Sequence, residues 1–167
     1  MPSPAPATNL LNRIGRWFSS KNVALPLGAA IPDLAIPDHT GALVTLPVKG
    51  WTFLYFYPRA DTPGCTRQAC SLRDAYESLL HEGVKVFGAS LDHLVPLRKF
   101  REKYQLPFPL LADTEGKLAD AFGVPRSFGF TRRQAFLFKD GLLVWRDLEA
   151  STDQQADDAL AAIRKNP

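Results

Sequence analysis

Two cysteines, Cys65 and Cys70, are the side chains of this 167-residue chain best suited to covalent chemistry. They lie in the stretch PRADTPGCTRQAC, which directly follows the aromatic run WTFLYFY at residues 51–57. Such a short apolar run predicts a buried central strand. The Pro and Gly residues after it predict a loop, and we expect a helix to begin near Cys65. Reaction sites in open α/β sheets lie at the carboxyl ends of strands, so Cys65 is placed where chemistry usually occurs.

The expected position of Cys65 at a helix N-terminus favours a reactive thiol. Unpaired backbone N–H groups and the positive end of the helix dipole stabilise the thiolate, which is the nucleophilic form of cysteine. Three residues upstream, Thr62 offers a hydroxyl that can donate to or accept from the sulfur or its substrate. Pro58 and Pro63 stiffen the intervening loop. Many free cysteines are buried and inert, but the loop setting and the nearby second thiol favour the reactive interpretation.

The spacing of the two cysteines limits how they could bond to each other. In an ideal helix the Cα atoms of residues five apart are separated by about 8.6 Å. A disulfide needs the two Cα atoms within about 7 Å. If Cys65 and Cys70 form a disulfide, the first turn of the helix or more must therefore unwind. The spacing also differs from the Cys-x-x-Cys redox motif of thioredoxins.

Composition narrows the remaining function classes. The chain is 46% hydrophobic and 22% charged, which suits one soluble domain that needs no disulfide or metal to stabilise it. Two cysteines are too few for a secreted disulfide scaffold, and no apolar stretch is long enough for a spanning helix, so we expect a cytoplasmic protein. Zinc needs three or four ligands, whereas His39, His81 and His93 are scattered, so we predict no metal site.

The net charge of +3 belongs to an N-terminal extension, predicted to cover residues 1–24. Arg13, Arg16 and Lys21 are the only charged side chains before Asp33, so the body of the protein is neutral and we expect no nucleic-acid partner. Apolar side chains at helical spacing in residues 10–18 predict a short amphipathic helix. We favour packing of this helix on the domain over contact with a membrane surface.

Predicted strands and helices alternate through residues 25–167, which we take as one domain. Alternation implies a parallel sheet portion with helices on both faces, and a closing hairpin at Asp140-Gly141 adds antiparallel strands. This order is that of a thioredoxin-like α/β fold, a central mixed sheet flanked by helices. Strands are predicted at 51–57, 84–90, 110–111, 134–138 and 142–147, and helices at 67–82, 94–104, 116–122 and after a cap at Ser151 or Thr152.

The cysteine loop resembles that of the peroxiredoxins. Their motif Pro-x-x-x-Thr-x-x-Cys is met by Pro58, Thr62 and Cys65. The longer stretch YFYPRADTPGCTRQAC is similar to the bacterioferritin-comigratory protein or peroxiredoxin Q subfamily, whose resolving cysteine lies five residues after the reactive one, as Cys70 does. The likeness covers roughly residues 28–167 and includes the segments SLD, LPFPLLAD and FGVPRSFGF.

The resemblance also implies roles for the residues around the reactive sulfur. The family keeps an arginine before the hairpin strand that contacts this sulfur; Arg133 matches it best, and neighbouring Arg132 is the alternative. Thr62 and the arginine would hold the peroxide and stabilise charge on its leaving oxygen. Pro58 would shield the site. No metal, haem or flavin is implied.

The resemblance further implies a complete redox cycle. Cys65 would attack hydrogen peroxide or an organic hydroperoxide and become a sulfenic acid. Cys70 would then form the intramolecular disulfide, which thioredoxin or a glutaredoxin would reduce. Because no third cysteine lies toward the C-terminus, we expect a monomer. The alternative function is a non-catalytic redox sensor that uses the same disulfide as its switch.

Overall fold

A five-stranded mixed sheet forms the centre of the computed structural model, which describes residues 23–167. The predicted N-terminal helix lies outside the described residues, so it stays a prediction, as does the boundary between extension and domain. The strands in chain order are β1 (Ala35–Pro37), β2 (Leu43–Thr45), β3 (Trp51–Phe56), β4 (Val84–Ser90), β5 (Leu110–Ala112), β6 (Arg126–Ser127), β7 (Phe130–Thr131), β8 (Gln134–Lys139) and β9 (Leu142–Asp147). The helices are α1 (Pro63–Asp74), α2 (Tyr76–His81), α3 (Leu94–Lys103), α4 (Lys117–Phe122) and α5 (Gln155–Lys165).

The central sheet has the order β5-β4-β3-β8-β9. Strand β3 is parallel to β4, and β4 is parallel to β5, whereas β8 is antiparallel to both β3 and β9. Two small hairpins, β1–β2 and β6–β7, stand outside the central sheet. The predicted α/β fold with a mixed sheet flanked by helices is confirmed.

Buried side chains on both faces explain why β3 lies at the centre of the sheet. Alternate residues of a strand point to opposite faces. Phe53 and Tyr55 pack in the core shared with α1, α3 and α5, and Leu54 and Phe56 pack in the core shared with α4. Every β3 residue from position 52 onward is buried, as the continuous apolar run predicts.

The helix predicted at residues 67–82 is two helices in the structure. α1 begins earlier, at Pro63, because the missing N–H of proline costs nothing in the first turn of a helix. The backbone leaves the helical conformation at Ala75, and the separate helix α2 then packs against β4. The early start places Cys65 in the first turn of α1.

The predicted cap of the last helix is wrong. The Ser151 hydroxyl accepts a hydrogen bond from the Gln154 N–H at 2.9 Å and forms a turn before the helix instead of capping it. Helix α5 therefore begins at Gln155, whose side chain is fully buried. Within residues 23–167, none of the helices combines the length and the apolar character needed to cross a bilayer.

His39 packs against β5, the edge strand of the central sheet. We expect its titration to make the stability of the fold depend on pH. Its Nδ1 accepts a hydrogen bond from the Leu110 N–H of β5 at 3.4 Å, and its side chain is buried. Burial lowers the pKa of His39 below its ordinary 6.5, with Arg101 and Arg98 acting in the same direction and Asp38 opposing them. The neutral imidazole is thus the form that the fold requires.

We predict that the protein loses stability as the pH falls below about 6.5, since the unfolded chain then binds a proton that the folded chain rejects. His39→Asn keeps an acceptor at this position but does not titrate in that range. Between about pH 7.5 and pH 5, the melting temperature should fall more in the parent than in the variant. Parallel curves for the two proteins would contradict this role of His39.

Candidate active site

Cys65 is buried at the N-terminus of α1, directly beyond the carboxyl end of β3. The first backbone hydrogen bond of the helix runs from the Thr66 N–H to the Thr62 carbonyl at 2.8 Å. The N–H groups of Gly64 and Cys65 therefore precede the hydrogen-bonded part of the helix. They point toward the region in front of the helix, where a developing negative charge would be stabilised.

Arg133 lies against the sulfur of Cys65. Its Nη2 donates to Cys65 Sγ at 3.4 Å. The sheet explains this contact between residues 68 apart in sequence: antiparallel pairing sets Phe56, at the end of β3, opposite Gln134, at the start of β8. Arg132 is exposed, and its backbone N–H donates to the Pro125 carbonyl. Of the two arginines considered from the sequence, the structure places Arg133 at the thiol.

Thr62 stands at the start of α1 with an extended backbone. Its hydroxyl donates to the Arg59 carbonyl at 2.8 Å. Since the single hydroxyl proton is used there, the oxygen of Thr62 remains available only as an acceptor. Half-buried Pro58 begins the same loop. The structure thus brings Arg133 to Cys65, and it places Pro58 and Thr62 on the segment that runs from β3 to this cysteine.

Cys70 lies on the same helix but on a different side. Five helical residues turn through about 500°, which puts Cys70 roughly 140° from Cys65 around the axis. It is half-buried and lines a surface groove of about 530 Å³ between α1 and α5, with Arg67, Ser71 and Asp153. Both thiols are free and the helix is continuous through both positions. This is the reduced, helical arrangement.

Metal ligands are not grouped in the described part of the chain. Across residues 23–167 no set of three or more His, Cys, Asp or Glu side chains is arranged to hold an ion. The geometry presents a buried sulfur beside a guanidinium, at a helix start whose first N–H groups have no partner within the helix.

The AhpC/TSA family matches residues 27–146. The chain belongs to the AhpC/TSA family. It is 38% identical over 151 residues to the chloroplastic peroxiredoxin Q of Oryza sativa subsp. japonica, covering 85% of this chain and 67% of that protein. It is 40% identical over 139 residues to peroxiredoxin Bcp of Bacillus subtilis, covering 76% of this chain and 88% of that protein.

Solved structures agree with the sequence relatives. The peroxidoxin BcpB of Mycobacterium tuberculosis superposes with a TM-score of 0.80 at 34% identity, over 86% of this chain and 99% of that one. The bacterioferritin comigratory protein of Xanthomonas campestris superposes with a TM-score of 0.77 at 29% identity, over 87% of this chain and 99% of that one. The resemblance to this group of peroxiredoxins is confirmed, and the chain is a thiol-dependent peroxidase.

The loop of this peroxiredoxin is fixed by groups that follow β4. Asp92 accepts hydrogen bonds from the Ala60 N–H at 2.7 Å and from the Ser90 hydroxyl at 2.8 Å. On the other side, Asp61 accepts from Lys103 and Tyr104, and the hydrogen bond from Lys103 lowers the pKa of the Asp61 carboxyl. Ser90 and Asp92 form the SLD segment, to which the sequence assigned no role.

Aromatic rings close the inner side of the site. Tyr55 and Tyr57 are fully buried in the same apolar cluster as Cys65, with their ring centroids 5.5 Å apart. Burial raises the pKa of both phenols well above 10, so both stay neutral. The sulfur therefore has neutral rings on its inner side and a guanidinium beside it.

Gln68 is a site residue that the sequence analysis missed. Arg133 Nη1 donates to its Oε1 while Nη2 of the same guanidinium reaches the sulfur. Gln68 is fully buried and lies three residues after Cys65, on the same face of α1. That spacing is a signal in the sequence, but it does not reveal which distant side chain the glutamine contacts.

We predict that Gly64→Ala lowers the activity of this peroxiredoxin without lowering its stability. A Cβ at Gly64 would lie 3.1 Å from Arg133 Nη2, so the guanidinium must shift by a few tenths of an ångström. Alanine is favoured over glycine in a helix by about 1 kcal/mol. The melting temperature should stay level or rise, while oxidation of Cys65 by peroxide slows by roughly tenfold.

Gly50→Ala is the control, because no atom of residues 23–167 lies within 4 Å of a Cβ at that position. The positive φ of Gly50 makes alanine unfavourable there, so the substitution lowers stability. It should reduce the melting temperature and leave the oxidation rate unchanged. Unchanged oxidation in Gly64→Ala would show that the guanidinium does not need its present position.

Proposed function

We propose that this peroxiredoxin reduces hydrogen peroxide and organic hydroperoxides with Cys65 as the peroxidatic thiol and Cys70 as the resolving thiol. The observation that carries the proposal is the guanidinium of Arg133 at 3.4 Å from a buried sulfur at a helix N-terminus. A guanidinium and unpaired N–H groups at a helix start can stabilise negative charge that develops on an oxygen during the reaction. The bacterioferritin comigratory protein of Xanthomonas campestris is described by its alkyl peroxide reduction activity, which supports the substrate class.

In the first step the Cys65 thiolate attacks the nearer oxygen of the peroxide. A sulfur–oxygen bond forms, the oxygen–oxygen bond breaks, and the leaving oxygen departs as water or an alcohol after taking a proton. Sulfur is oxidised to the sulfenic acid and the peroxide is reduced by two electrons. Thr62 accepts a hydrogen bond from the peroxide, and Arg133 with the N–H groups of Gly64 and Cys65 stabilises the charge that moves to the leaving oxygen.

In the second step Cys70 attacks the sulfur of the Cys65 sulfenic acid. A disulfide forms, the sulfur–oxygen bond breaks, and the hydroxyl leaves as water. The two sulfurs lie on different sides of α1, so residues 65–70 must leave the helical conformation first. We infer that the protein alternates between the helical form described above and a locally unwound, oxidised form.

In the third step an external dithiol reduces the disulfide by thiol exchange and is itself oxidised. We propose thioredoxin or a glutaredoxin for this role, acting on a monomer in the cytoplasm. Cys70 is the accessible member of the pair in the reduced form, because it lines a groove while Cys65 is 1% exposed. Pro58 at the head of the loop shields the sulfenic acid from solvent.

We predict that Cys65→Ser abolishes turnover. A serine hydroxyl has the shape of the thiol but does not ionise near neutral pH, so no nucleophile remains. Peroxide consumption in the presence of thioredoxin, its reductase and NADPH should fall to the level without enzyme. Turnover that persists in Cys65→Ser would refute the assignment of the nucleophile.

We predict that Cys70→Ala consumes one equivalent of peroxide but is not recycled by thioredoxin. The sulfenic acid forms at Cys65, yet no second thiol is present to make the disulfide that the reductant attacks. Intact mass after peroxide treatment should show a loss of two hydrogens in the parent and a gain of one oxygen in the variant. Recycling of the variant at the parental rate would exclude the intramolecular disulfide, and a disulfide without catalytic turnover in the parent would favour the sensor.

A further inference from the structure

We propose that Gln155, at the start of α5, is a positioning residue that holds Arg133 on the reactive sulfur and holds the cysteine-bearing turn of α1 in helical form. This inference rests on the proposed function of Cys65 and Cys70. The residue is 90 positions after Cys65 and touches neither the sulfur nor the substrate. It acts through Gln68, which stands between it and Arg133.

A chain of three hydrogen bonds joins Gln155 to the sulfur of Cys65. Gln155 Oε1 accepts from Gln68 Nε2 at 3.2 Å, Gln68 Oε1 accepts from Arg133 Nη1, and Arg133 Nη2 donates to Cys65 Sγ at 3.4 Å. Both glutamines are fully buried. The Gln155 oxygen fixes which way the Gln68 amide points, because it can pair only with the NH₂ end of that amide. That orientation presents the Gln68 oxygen to the guanidinium.

Within residues 23–167, the buried NH₂ group of Gln155 has no hydrogen-bond partner. The Gln155 amide is therefore held by its hydrogen bond to Gln68 and by the packing of α5. Helix α5 is a firm support, with Ala156, Ala159 and Ile163 in the core.

The hydrogen bond between Gln68 and Gln155 also holds the segment, residues 65–70, that must unwind before the disulfide forms. Gln68 sits between Cys65 and Cys70, so its side chain reaches Gln155 only while this part of α1 is helical. A second tie follows Cys70, where the Ser71 hydroxyl donates to the Asp153 carbonyl at 3.2 Å. The start of α5 therefore stabilises the form that reacts with peroxide against the form that makes the disulfide.

The test is Gln155→Met, which keeps the length and helix propensity of the side chain but removes the amide. Oxidation of Cys65, measured as single-turnover peroxide loss in a Cys70→Ser background, should slow by roughly tenfold. Disulfide formation, followed in the parent background as the loss of two hydrogens in acid-quenched samples, should accelerate by roughly tenfold. If Gln155→Met does not fold, Gln155→Asn replaces it with the same expectations, because its amide is one methylene too short to reach Gln68.

Gln155→Glu is the rescue variant, since a carboxyl oxygen stays at the acceptor position. It should return both rates toward the parental values. Gln154→Met is the matched control on the exposed neighbour, and Ile163→Val is the stability control in the core of α5. Both controls should keep both rates, even where Ile163→Val lowers the melting temperature.

Two results would overturn the proposal: a disulfide rate in Gln155→Met equal to that of the parent, or rates in Gln155→Glu no closer to the parent than those of Gln155→Met. Failure of the proposed function looks different, because the parent itself would then form no sulfenic acid or no disulfide. Slower oxidation together with faster disulfide formation also distinguishes a positioning role from general destabilisation. The Ile163→Val variant shows what general destabilisation alone does to both rates.

Discussion

Helix α1 can hold Cys65 against Arg133 only while its first turns are intact, and it can join Cys65 to Cys70 only after those turns unwind. The separation of about 8.6 Å between helical Cα atoms five apart, against the limit of about 7 Å for a disulfide, makes the two requirements exclusive. In the proposed cycle, the free energy of unwinding this segment is therefore bounded from both sides. Too high a value would trap the sulfenic acid, and too low a value would lose the contact between Cys65 and Arg133.

Separate sets of hydrogen bonds hold the loop before α1 and the helix itself. The loop before the helix is held by Asp92 and by Lys103 with Tyr104, and neither tie involves the residues that must unwind. The helix itself is tied by side chains at Gln68 and Ser71, within or beside the unwinding segment. In the proposed cycle, the loop can thus stay in place while the turn that follows it opens.

Sequence reasoning reached the parts of this structure that depend on local pattern. Strand β3, the turn at Asp140-Gly141 and the helix N-terminus at Cys65 each follow from residues close together in the chain. The start of α5 was wrong because a serine hydroxyl that bonds a nearby N–H looks the same in sequence whether it caps a helix or closes a turn. The position of Arg133 came from family likeness and not from periodicity.

The contact between Gln68 and Gln155 could not be predicted from the sequence, for a different reason. A glutamine in a helix is usually a solvated side chain, and only the packing of α1 on α5 makes these two buried partners 87 residues apart. The turn at Ser151 is followed by the first turn of α5, where the Gln155 side chain meets Gln68 of α1. The reactive sulfur lies on α1 beside the residue before β8, and Gln68 of the same helix meets the first turn of α5. Under the proposed role of Gln155, a change in the packing of α5 reaches the sulfur through three hydrogen bonds that pass through Gln68 and Arg133.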